Sequence, residues 1–389
     1  MIKARLIWML SILIAIGIAF FSGEEISVTL LLLVIIFPLL AIIFNKIFAR
    51  RVETGIEIPV NTLSKGSEFE LLIQVLKRKF PPLAPVVCII RLNNTLTGES
   101  TEEEVLFALN SGPEMKIPIY VRSLYCGFLN LEIKDLLIYD IFGLSKVKIP
   151  TESNAEAFVL PDTFATNLSV ATNLVKDVDA DEYSQSKAGS DPSETFAIRE
   201  YRPGDSLHRI HWKLSSKFDD ILIKEASLPV NHSFLVLLET GFTGSTRPSS
   251  SIADALMEIT LSICQQMAEE EINFTIAWRD DGKNDFFHMA IDNFDDLTGL
   301  IEKQLKVVFT KRETDSLNIM RETGALGEYQ HLIYISQEEP NFISDFGSNT
   351  LFTGIICQEA KTGEEMIDNI DLIYCTPESY REELSELMI

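Results

Sequence analysis

The chain has 389 residues, 46% of them hydrophobic, which is enough for two or three domains and excludes a wholly disordered protein. Its net charge of −24 argues against a nucleic-acid-binding protein, because such a protein needs a basic face to neutralise phosphates. From Ser227 to the end, 29 acidic residues outnumber 10 basic ones, so the C-terminal part is predicted to be an acidic, soluble body.

Two apolar runs fill residues 1–48 and predict a transmembrane helical hairpin. The spans are expected at 6–21 and 26–44, and Pro38 in the second run is tolerated in a membrane helix. Basic residues flank the hairpin while the connecting loop carries only acids, which predicts a multi-pass plasma-membrane protein with the bulk of the chain in the cytoplasm. A cleaved signal peptide fits poorly, because a second apolar run follows and no small-residue cleavage site does.

Residues 49–155 place apolar residues at every second position, in short runs separated by Gly, Pro and Asn. This pattern predicts an antiparallel β-sandwich domain. The sequence FPPLAP at 80–85 interrupts a strand and is expected in a loop or at a sheet edge. Near the end of the domain, DIFGL predicts a turn in which Gly143 takes an unusual backbone angle while Phe142 and Leu144 plug the sandwich.

Residues 156–195 are predicted to form a helix, near 162–175, and an acidic mobile linker. The sequence KDVDADEYSQSKAGSDPS within this segment is Ser-rich and nearly free of large apolar residues. Because such a composition cannot bury a core, it favours a loop or linker.

Residues 229–389 alternate apolar strands with amphipathic helices, which predicts a doubly wound α/β domain with a mostly parallel sheet. The expected strands are 233–239, 272–278, 286–291, 331–335, 351–357 and 370–374, and the expected helices are 249–269, 294–307 and one from about 377. Neither a G-x-G-x-x-G nor a G-x-x-x-x-G-K-[ST] motif is present, so no nucleotide and no cofactor are predicted.

Five cysteines are spread through the chain without any C-x-x-C pair: Cys88, Cys126, Cys264, Cys357 and Cys375. The odd number and the spacing favour reduced, buried thiols in a cytosolic compartment. Neither a disulfide framework nor a zinc site is expected.

The segment 196–228 has the densest chemistry of the chain, with charges of both signs, two histidines and a tryptophan around one Pro-Gly turn. A strand is predicted over 196–202, ending at the turn. Asp205 is expected to cap a short helix, and a second strand is expected over 221–224.

Three interpretations of this segment stay open. In the first it is an ionic clasp that fastens the sandwich to the α/β domain, with Trp212 in the seam. In the second it is a docking surface for a protein partner, because Trp, Tyr and Arg dominate binding hot spots. In the third His208 or His211 is a catalytic base oriented by Asp205, but no nucleophile accompanies them. No catalytic residue is therefore assigned, and the chain is not predicted to be an enzyme.

The sequence R-E-Y-x-P-G-D-x-x-x-R-I-H-W-K resembles the signature of the domain of unknown function 58 family. The resemblance extends to the two membrane helices, a β-sandwich ending in D-x-F-G-L and a degenerate von Willebrand factor A-like C-terminal domain. The chain departs from the family at 215–218, where a small-residue pair is usually followed by Arg. The family marks ten positions of the signature as binding or clasp residues: Arg199, Glu200, Tyr201, Pro203, Gly204, Asp205, Arg209, His211, Trp212 and Lys213.

A von Willebrand factor A domain also carries a D-x-S-x-S motif at the end of its first strand, where the oxygens hold a divalent cation. This chain reads ETGFT at 239–243, so Glu239 replaces the aspartate, Gly241 the first serine and Thr243 the second. A lost hydroxyl and a longer acid should displace the ion. No metal is therefore predicted, and Glu239 and Thr243 are only weak candidates.

Members of the family are often encoded beside MoxR-type AAA+ ATPases and transglutaminase-like membrane proteins. The resemblance implies a membrane-tethered, cytoplasm-facing binding or scaffold protein that works with a MoxR-type ATPase in assembling or remodelling a complex. The alternative is an unrecognised hydrolase, or a metal-dependent adhesion module that uses the C-terminal domain.

Overall fold

The computed structural model describes residues 1–49, 51–77, 85–109, 112–151, 153–169, 183–189, 191–200, 215, 222–229, 234–244, 247–280, 285–340, 350–360, 363–367 and 370–388. The chain divides into two compact units, Met1–Leu160 and Pro161–Ile389. The first holds two N-terminal helices and a β-sandwich, and the second holds a mostly parallel sheet with its helices.

Two long helices open the chain: α1 spans Ile2–Ser22 and α2 spans Glu25–Ala49. Both are long and apolar enough to cross a membrane, so the pair of helices predicted at 6–21 and 26–44 is present, each somewhat longer. Their large apolar side chains are exposed along most of their length. A helix that is apolar all round and uncovered is typical of a membrane span.

The two helices lie side by side. Trp8 Nε1 donates a hydrogen bond to Val34 O at 3.0 Å, and Ser22 Oγ donates to Ser27 Oγ at 2.7 Å beside the connecting turn. Gly23 ends α1 with a φ of +61°, in the left-handed region where glycine has no Cβ to clash. These contacts make the helices an antiparallel pair.

Nine strands follow in the described part of the first unit: β1 Val52–Glu57, β2 Thr62–Ser64, β3 Glu68–Lys77, β4 Pro85–Asn94, β5 Ser100–Ala108, β6 Glu114–Arg122, β7 Gly127–Tyr139, β8 Lys146–Ile149 and β9 Asn154–Leu160. They form one sheet of order β1-β3-β6 and another of order β2-β9-β7-β4-β5, in which β8 also pairs with β7. Every pairing is antiparallel except that of β2 with β9. The predicted β-sandwich is present, and its only departure is this parallel pair at one edge.

One apolar core lies between the two sheets. Alternate residues of β3, such as Leu71 and Ile73, pack against alternate residues of β4 and β7, such as Ile90 and Leu131. Phe48, in the last turn of α2, belongs to the same cluster. The second helix therefore runs directly into the sandwich core. Of the predicted loop at 80–85, the last residue starts β4 and the others lie outside the described residues.

The turn between β7 and β8, residues 140–145, corrects one prediction. Gly143 takes a φ of +68° and Leu144 is buried, both as predicted. Phe142 does not plug the sandwich: it is 38% exposed, and its ring centroid lies 5.5 Å from that of Phe37 in α2. Phe142 turns outward because α2 provides an aromatic neighbour that the sequence of the turn alone does not reveal.

The strands of the second unit, in its described part, are β10 Asn167–Ser169, β11 Tyr183–Gly189, β12 Asp191–Glu200, β13 Leu222–Pro229, β14 Phe234–Leu238, β15 Gly241–Phe242, β16 Phe274–Asp280, β17 Asp285–Ile291, β18 Thr310–Lys311, β19 His331–Ser336, β20 Leu351–Cys357, β21 Gly363–Ile367, β22 Ile370–Cys375 and β23 Glu386–Met388. Its helices are α3 Ser250–Glu269, α4 Phe294–Gln304, α5 Ser316–Glu322 and α6 Tyr380–Glu383, with a 3₁₀ turn at Ala325–Glu328. Seven strands form a sheet of order β17-β16-β14-β19-β20-β22-β21. Its five inner strands are parallel and its two edge strands are antiparallel to their neighbours.

Helices and loops cover this sheet. Every residue of β14 and of β19 is buried, which requires that both faces be covered. Leu317 and Met320 of α5 join Leu235 and Tyr334 in one apolar cluster. The mostly parallel sheet with alternating helices predicted for 229–389 is therefore present. The helix predicted from about 377 is shorter than expected, because only four residues of α6 precede β23.

The structure differs from the predictions for 156–195 in the part of that segment that it describes. No helix begins near residue 162; Asn167–Ser169 is strand β10, which pairs in parallel with β23 at the other end of the unit. Strands β11 and β12 stand where a mobile linker was expected, and both pair with β13. Local composition misses these strands because their hydrogen-bond partners lie elsewhere in the chain.

All five cysteines are free and buried, as predicted. Burial raises the pKa of the Cys88 thiol to about 12, so its thiolate is disfavoured near neutral pH. Cys357 and Cys375 are register partners on β20 and β22. Thiols in such surroundings pack as small apolar side chains.

Candidate functional site

The signature lies partly within the described residues. Arg199 and Glu200 are the last two residues of β12, opposite Ile223 and Leu222 of β13. The strands predicted over 196–202 and 221–224 are therefore present in the described residues as an antiparallel pair, in a sheet of order β11-β13-β12. The other eight marked residues lie outside the described residues: Tyr201, Pro203, Gly204, Asp205, Arg209, His211, Trp212 and Lys213.

The metal candidate Glu239 follows directly after β14, at the carboxyl end of an inner parallel strand. Its side chain is 3% exposed. Oε1 accepts hydrogen bonds from Gly241 N at 2.7 Å and Ser316 Oγ at 3.0 Å, and Oε2 accepts one from Ser316 N at 2.6 Å. Tyr334 OH donates to Oε2 at 3.4 Å. The carboxylate therefore joins β14 to the start of α5 and to β19.

Arg312, directly after β18, supplies positive charge beside this carboxylate. Its Nη1 lies 3.5 Å from Glu239 Oε1, with side-chain exposures of 6% and 3%. Its Nη2 donates to Arg279 O at 3.2 Å, and its backbone N donates to Phe242 O at 3.0 Å. Removing one partner of such a buried pair would leave the other charge buried without a partner. The pair is therefore a fixed part of the fold.

The ion pair explains why Gly241 stands where a metal-binding motif has a serine. A Cβ at this position would lie 2.9 Å from Glu239 Oε1 and 2.9 Å from Arg312 Cδ. Contacts this short require the neighbours to move, and both neighbours belong to the ion pair. The stem of Arg312 therefore occupies the space into which a serine side chain would extend.

Thr243, the second metal candidate, contacts a different carboxylate. Its Oγ1 donates to Glu338 Oε2 at 2.6 Å, and the N–H groups of Thr243 and Gly244 donate to the same carboxylate at 2.9 and 3.1 Å. The structure does not bring Glu239 and Thr243 together around one point. Within the described residues, no group of three His, Cys, Asp or Glu side chains could hold a metal ion.

Burial raises the pKa of Glu239, because the loss of water outweighs the hydrogen bonds from Ser316 and Gly241 and the charge of Arg312. Burial also raises the pKa of the Tyr334 hydroxyl well above its ordinary value, and the nearby Glu239 adds to that shift. Both side chains are closed off from solvent. A general acid or base has to reach its substrate, so this cluster is suited to holding segments together.

Two acidic side chains cover the loop that follows β14. Glu338 lies after β19, and Glu359 lies after β20, where its Oε1 accepts a hydrogen bond from Ser249 Oγ at 2.7 Å. Ser249 also caps α3, since its Oγ accepts from Ile252 N at 3.3 Å. The carboxyl ends of β19 and β20 thus present an acidic surface beside the loop that follows β14.

Glu258 of α3 is a second buried carboxylate, and sequence reasoning missed it. It accepts hydrogen bonds from Asp162 N at 3.2 Å, from Arg381 Nη2 at 2.7 Å and from Tyr380 OH. It therefore ties the beginning of the second unit to α6. The sequence signal for this site was the pair Asp254 and Glu258 inside an otherwise apolar helical stretch. Acidic side chains are rarely buried unless they are paired, so such a pair indicates partners elsewhere in the fold.

No family model matches the chain, and no curated protein matches it. Among solved structures, a cohesin from the archaeon Archaeoglobus fulgidus is 17% identical, with 28% of this chain and 91% of the cohesin covered and a TM-score of 0.21. A CARDB domain from Pyrococcus furiosus is 10% identical, with 28% and 87% covered and a TM-score of 0.19. An alkylpurine DNA glycosylase from Pseudomonas fluorescens is 16% identical, with 28% and 30% covered and a TM-score of 0.20. Likenesses at this level carry no inference about fold or function.

Proposed function

We propose that the chain is a membrane-tethered, cytoplasm-facing binding or scaffold protein of the domain of unknown function 58 family, with a von Willebrand factor A-like second unit. The observation that supports it best is the Glu239–Arg312 ion pair. A ligand of a parallel sheet is expected at the carboxyl ends of its strands, and this pair fills that position. The outer surface of the unit, rather than a pocket in it, is then left to bind partners.

The hairpin supports the tether. Its two helices are exposed, apolar and long enough to span a bilayer. The charges around it support a cytoplasmic position for the rest of the chain, because basic residues lie outside the helices and acids between them. The basic residues are Lys3, Arg5, Lys46, Arg50 and Arg51, and the acids are Glu24 and Glu25.

As the partner we propose a MoxR-type AAA+ ATPase, with which the protein assembles or remodels another complex. The signature segment is the proposed docking surface, because Arg209 and Trp212 are residue types that dominate binding hot spots. The acidic surface at Glu338 and Glu359 would favour a partner with a complementary basic face.

Affinity capture tests this docking. The full-length chain in detergent would be immobilised and exposed to a purified MoxR-type ATPase. Trp212→Ala or Arg209→Ala should each weaken binding roughly thirtyfold, as expected when a hot-spot residue worth about 2 kcal/mol is removed. Leu124→Ala is the control, since Leu124 is an exposed turn residue of the first unit. Equal capture of all folded variants would contradict the docking surface, and no capture of the wild type would contradict the partner.

Calorimetric titration with magnesium or manganese separates this proposal from a metal-dependent adhesion module. We expect no binding isotherm from the carboxyl end of the sheet, because Glu239 already accepts hydrogen bonds and faces Arg312. An isotherm abolished by Thr243→Val, in a variant that remains folded, would overturn the proposal in favour of the metal-dependent alternative.

A further inference from the structure

The turn between β7 and β8, which we name the β7–β8 turn, has several backbone groups that form hydrogen bonds within the protein. The buried Asp140 carboxylate accepts hydrogen bonds from Phe142 N at 2.9 Å, from Leu144 N at 3.2 Å and from Ser145 N. Arg5 Nε of α1 donates to Leu144 O at 3.0 Å. Hydrogen bonds within the protein lower the cost of removing these groups from water.

The tip of the β7–β8 turn exposes large apolar side chains between the two helices. Ile141 is 56% exposed and Phe142 is 38% exposed. Phe142 packs against Phe37 of α2, and a Cβ placed on Gly143 would lie 3.8 Å from that of Ala4 in α1. An apolar tip of this kind is costly in water unless something covers it.

Phe37 fixes the depth of the tip along the hairpin. The apolar run of α2 continues for seven residues beyond it, to Phe44, and the first polar residue is Asn45. At 1.5 Å per residue, Phe37 lies about 10 Å from that polar end of the helix. Phe142 therefore lies beside an apolar part of α2, while the contacts of the turn with Ala4 and Arg5 place it near the charged start of α1.

A groove of about 390 Å³ continues this apolar surface between the helices and the turn. Its lining is almost wholly apolar and includes Ala4, Ile7, Trp8, Phe37, Phe142 and Leu144. An apolar groove of this kind is chemically suited to an acyl chain.

We propose that the β7–β8 turn inserts into the membrane beside the hairpin, so that Ile141 and Phe142 contact the acyl chains of phospholipids. This inference rests on the proposed membrane tether. Lipid is the occupant because the exposed tip is continuous with two helices long enough to span a bilayer. The exposed basic residues Lys3 and Arg5 lie beside the turn and complement anionic headgroups, so the tip is expected at the boundary between headgroups and acyl chains. The turn thus gives the sandwich a membrane contact besides its chain connection.

Lipid quenching of a fluorescent probe tests the proposal. The full-length Ile141→Cys protein, labelled with an environment-sensitive fluorophore, would be reconstituted into phosphatidylcholine–phosphatidylglycerol vesicles with and without brominated acyl chains. The five native cysteines are buried, which favours labelling at the new site. Leu124→Cys is the matched control: its exposure is 58% against 56% for Ile141, and it precedes β7 at the opposite end. The thirteen residues of β7 separate the two positions by about 40 Å.

We expect brominated chains to quench the probe at position 141 at least twofold and to leave the probe at position 124 unchanged. A third probe, Ile36→Cys on the exposed face of α2, reports on the tether itself. Quenching at 36 without quenching at 141 would overturn the turn proposal and leave the tether standing. Equal quenching at 124 and 141 would also overturn it, because the contact would not be specific to the turn. No quenching at any position would overturn both the tether and the turn.

Discussion

Two buried carboxylates, Asp140 in the first unit and Glu239 in the second, each follow an inner strand and are each 3% exposed. Asp140 accepts hydrogen bonds from N–H groups no farther than five residues along the chain. Glu239 accepts one from Gly241, two residues away, but also from Ser316, 77 residues away, and from Tyr334, 95 residues away. The first carboxylate can form its contacts as soon as its own turn closes. The second carboxylate requires β14, β19 and the start of α5 to be assembled first.

Glu239→Ala should have the largest effect on stability. It leaves Arg312 buried beside no carboxylate and removes the acceptor of Ser316, so the second unit should lose about 3–5 kcal/mol of its free energy of unfolding. Hydrogen exchange of peptides from β14 and β19, measured by mass spectrometry on the full chain in detergent, gives this quantity. Peptides from the sandwich should be unchanged.

The double variant Glu239→Leu/Arg312→Met is the control for that loss. With both charges removed, no isolated charge remains buried. The double variant should therefore lose less free energy of unfolding than the single variants Glu239→Leu and Arg312→Met lose together, by about 1 kcal/mol or more. Strict additivity would show that the two side chains do not depend on one another.

Acid should lower the stability of the second unit more than that of the first, because all five histidines of the chain lie in the second. Burial lowers the pKa of His331 to about 4, from an ordinary value near 6.5. As pH falls from 6.5 to 4, the unfolded state binds a proton that the native state does not, so stability falls by about 3 kcal/mol. The free energy of unfolding would be measured against pH for wild type and for His331→Phe. Subtracting one profile from the other removes the contribution of carboxyl groups that titrate in the same range. A profile unchanged by the substitution would contradict this origin.

Asp140→Ala should cost less than Glu239→Ala, about 1–3 kcal/mol, since it leaves three backbone N–H groups without their acceptor but no charge without its partner. The change should stay local to the β7–β8 turn and to the part of α2 around Phe37 that packs on it. Hydrogen exchange of peptides covering 140–149 would detect it. Asp140→Asn keeps one acceptor and should give an intermediate loss; an equal loss in both variants would count against the hydrogen bonds as the cause.

Gly143→Ala should have the smallest effect, about 1 kcal/mol, because an alanine at a φ of +68° carries the strain of the left-handed region. The added Cβ meets only an ordinary contact, 3.8 Å from Ala4, so steric overlap does not add to that cost. Thermal unfolding of Gly143→Ala and Gly143→Asn compares them directly, and asparagine should be better tolerated.

The sequence predicts well whatever depends on neighbours along the chain. The apolar runs of α1 and α2, the alternation of the sandwich strands and the left-handed Gly143 all follow from local pattern. The pairing of Glu239 with Arg312 could not be predicted, because each looks like an ordinary charged residue in its own segment. The same holds for β10, whose partner β23 lies near the C-terminus, and for Phe142, whose partner is in a helix.

The junction of hairpin and sandwich has a mechanical consequence. Helix α2 ends at Ala49 with Phe48 packed in the sandwich core, and β1 starts at Val52. Because only two residues connect α2 to β1, the sandwich cannot rotate freely relative to the helix. It has to tilt when α2 tilts. A membrane helix changes its tilt with bilayer thickness. If the hairpin spans the bilayer as proposed, the angle between the sandwich and the membrane plane should change with the thickness of the bilayer.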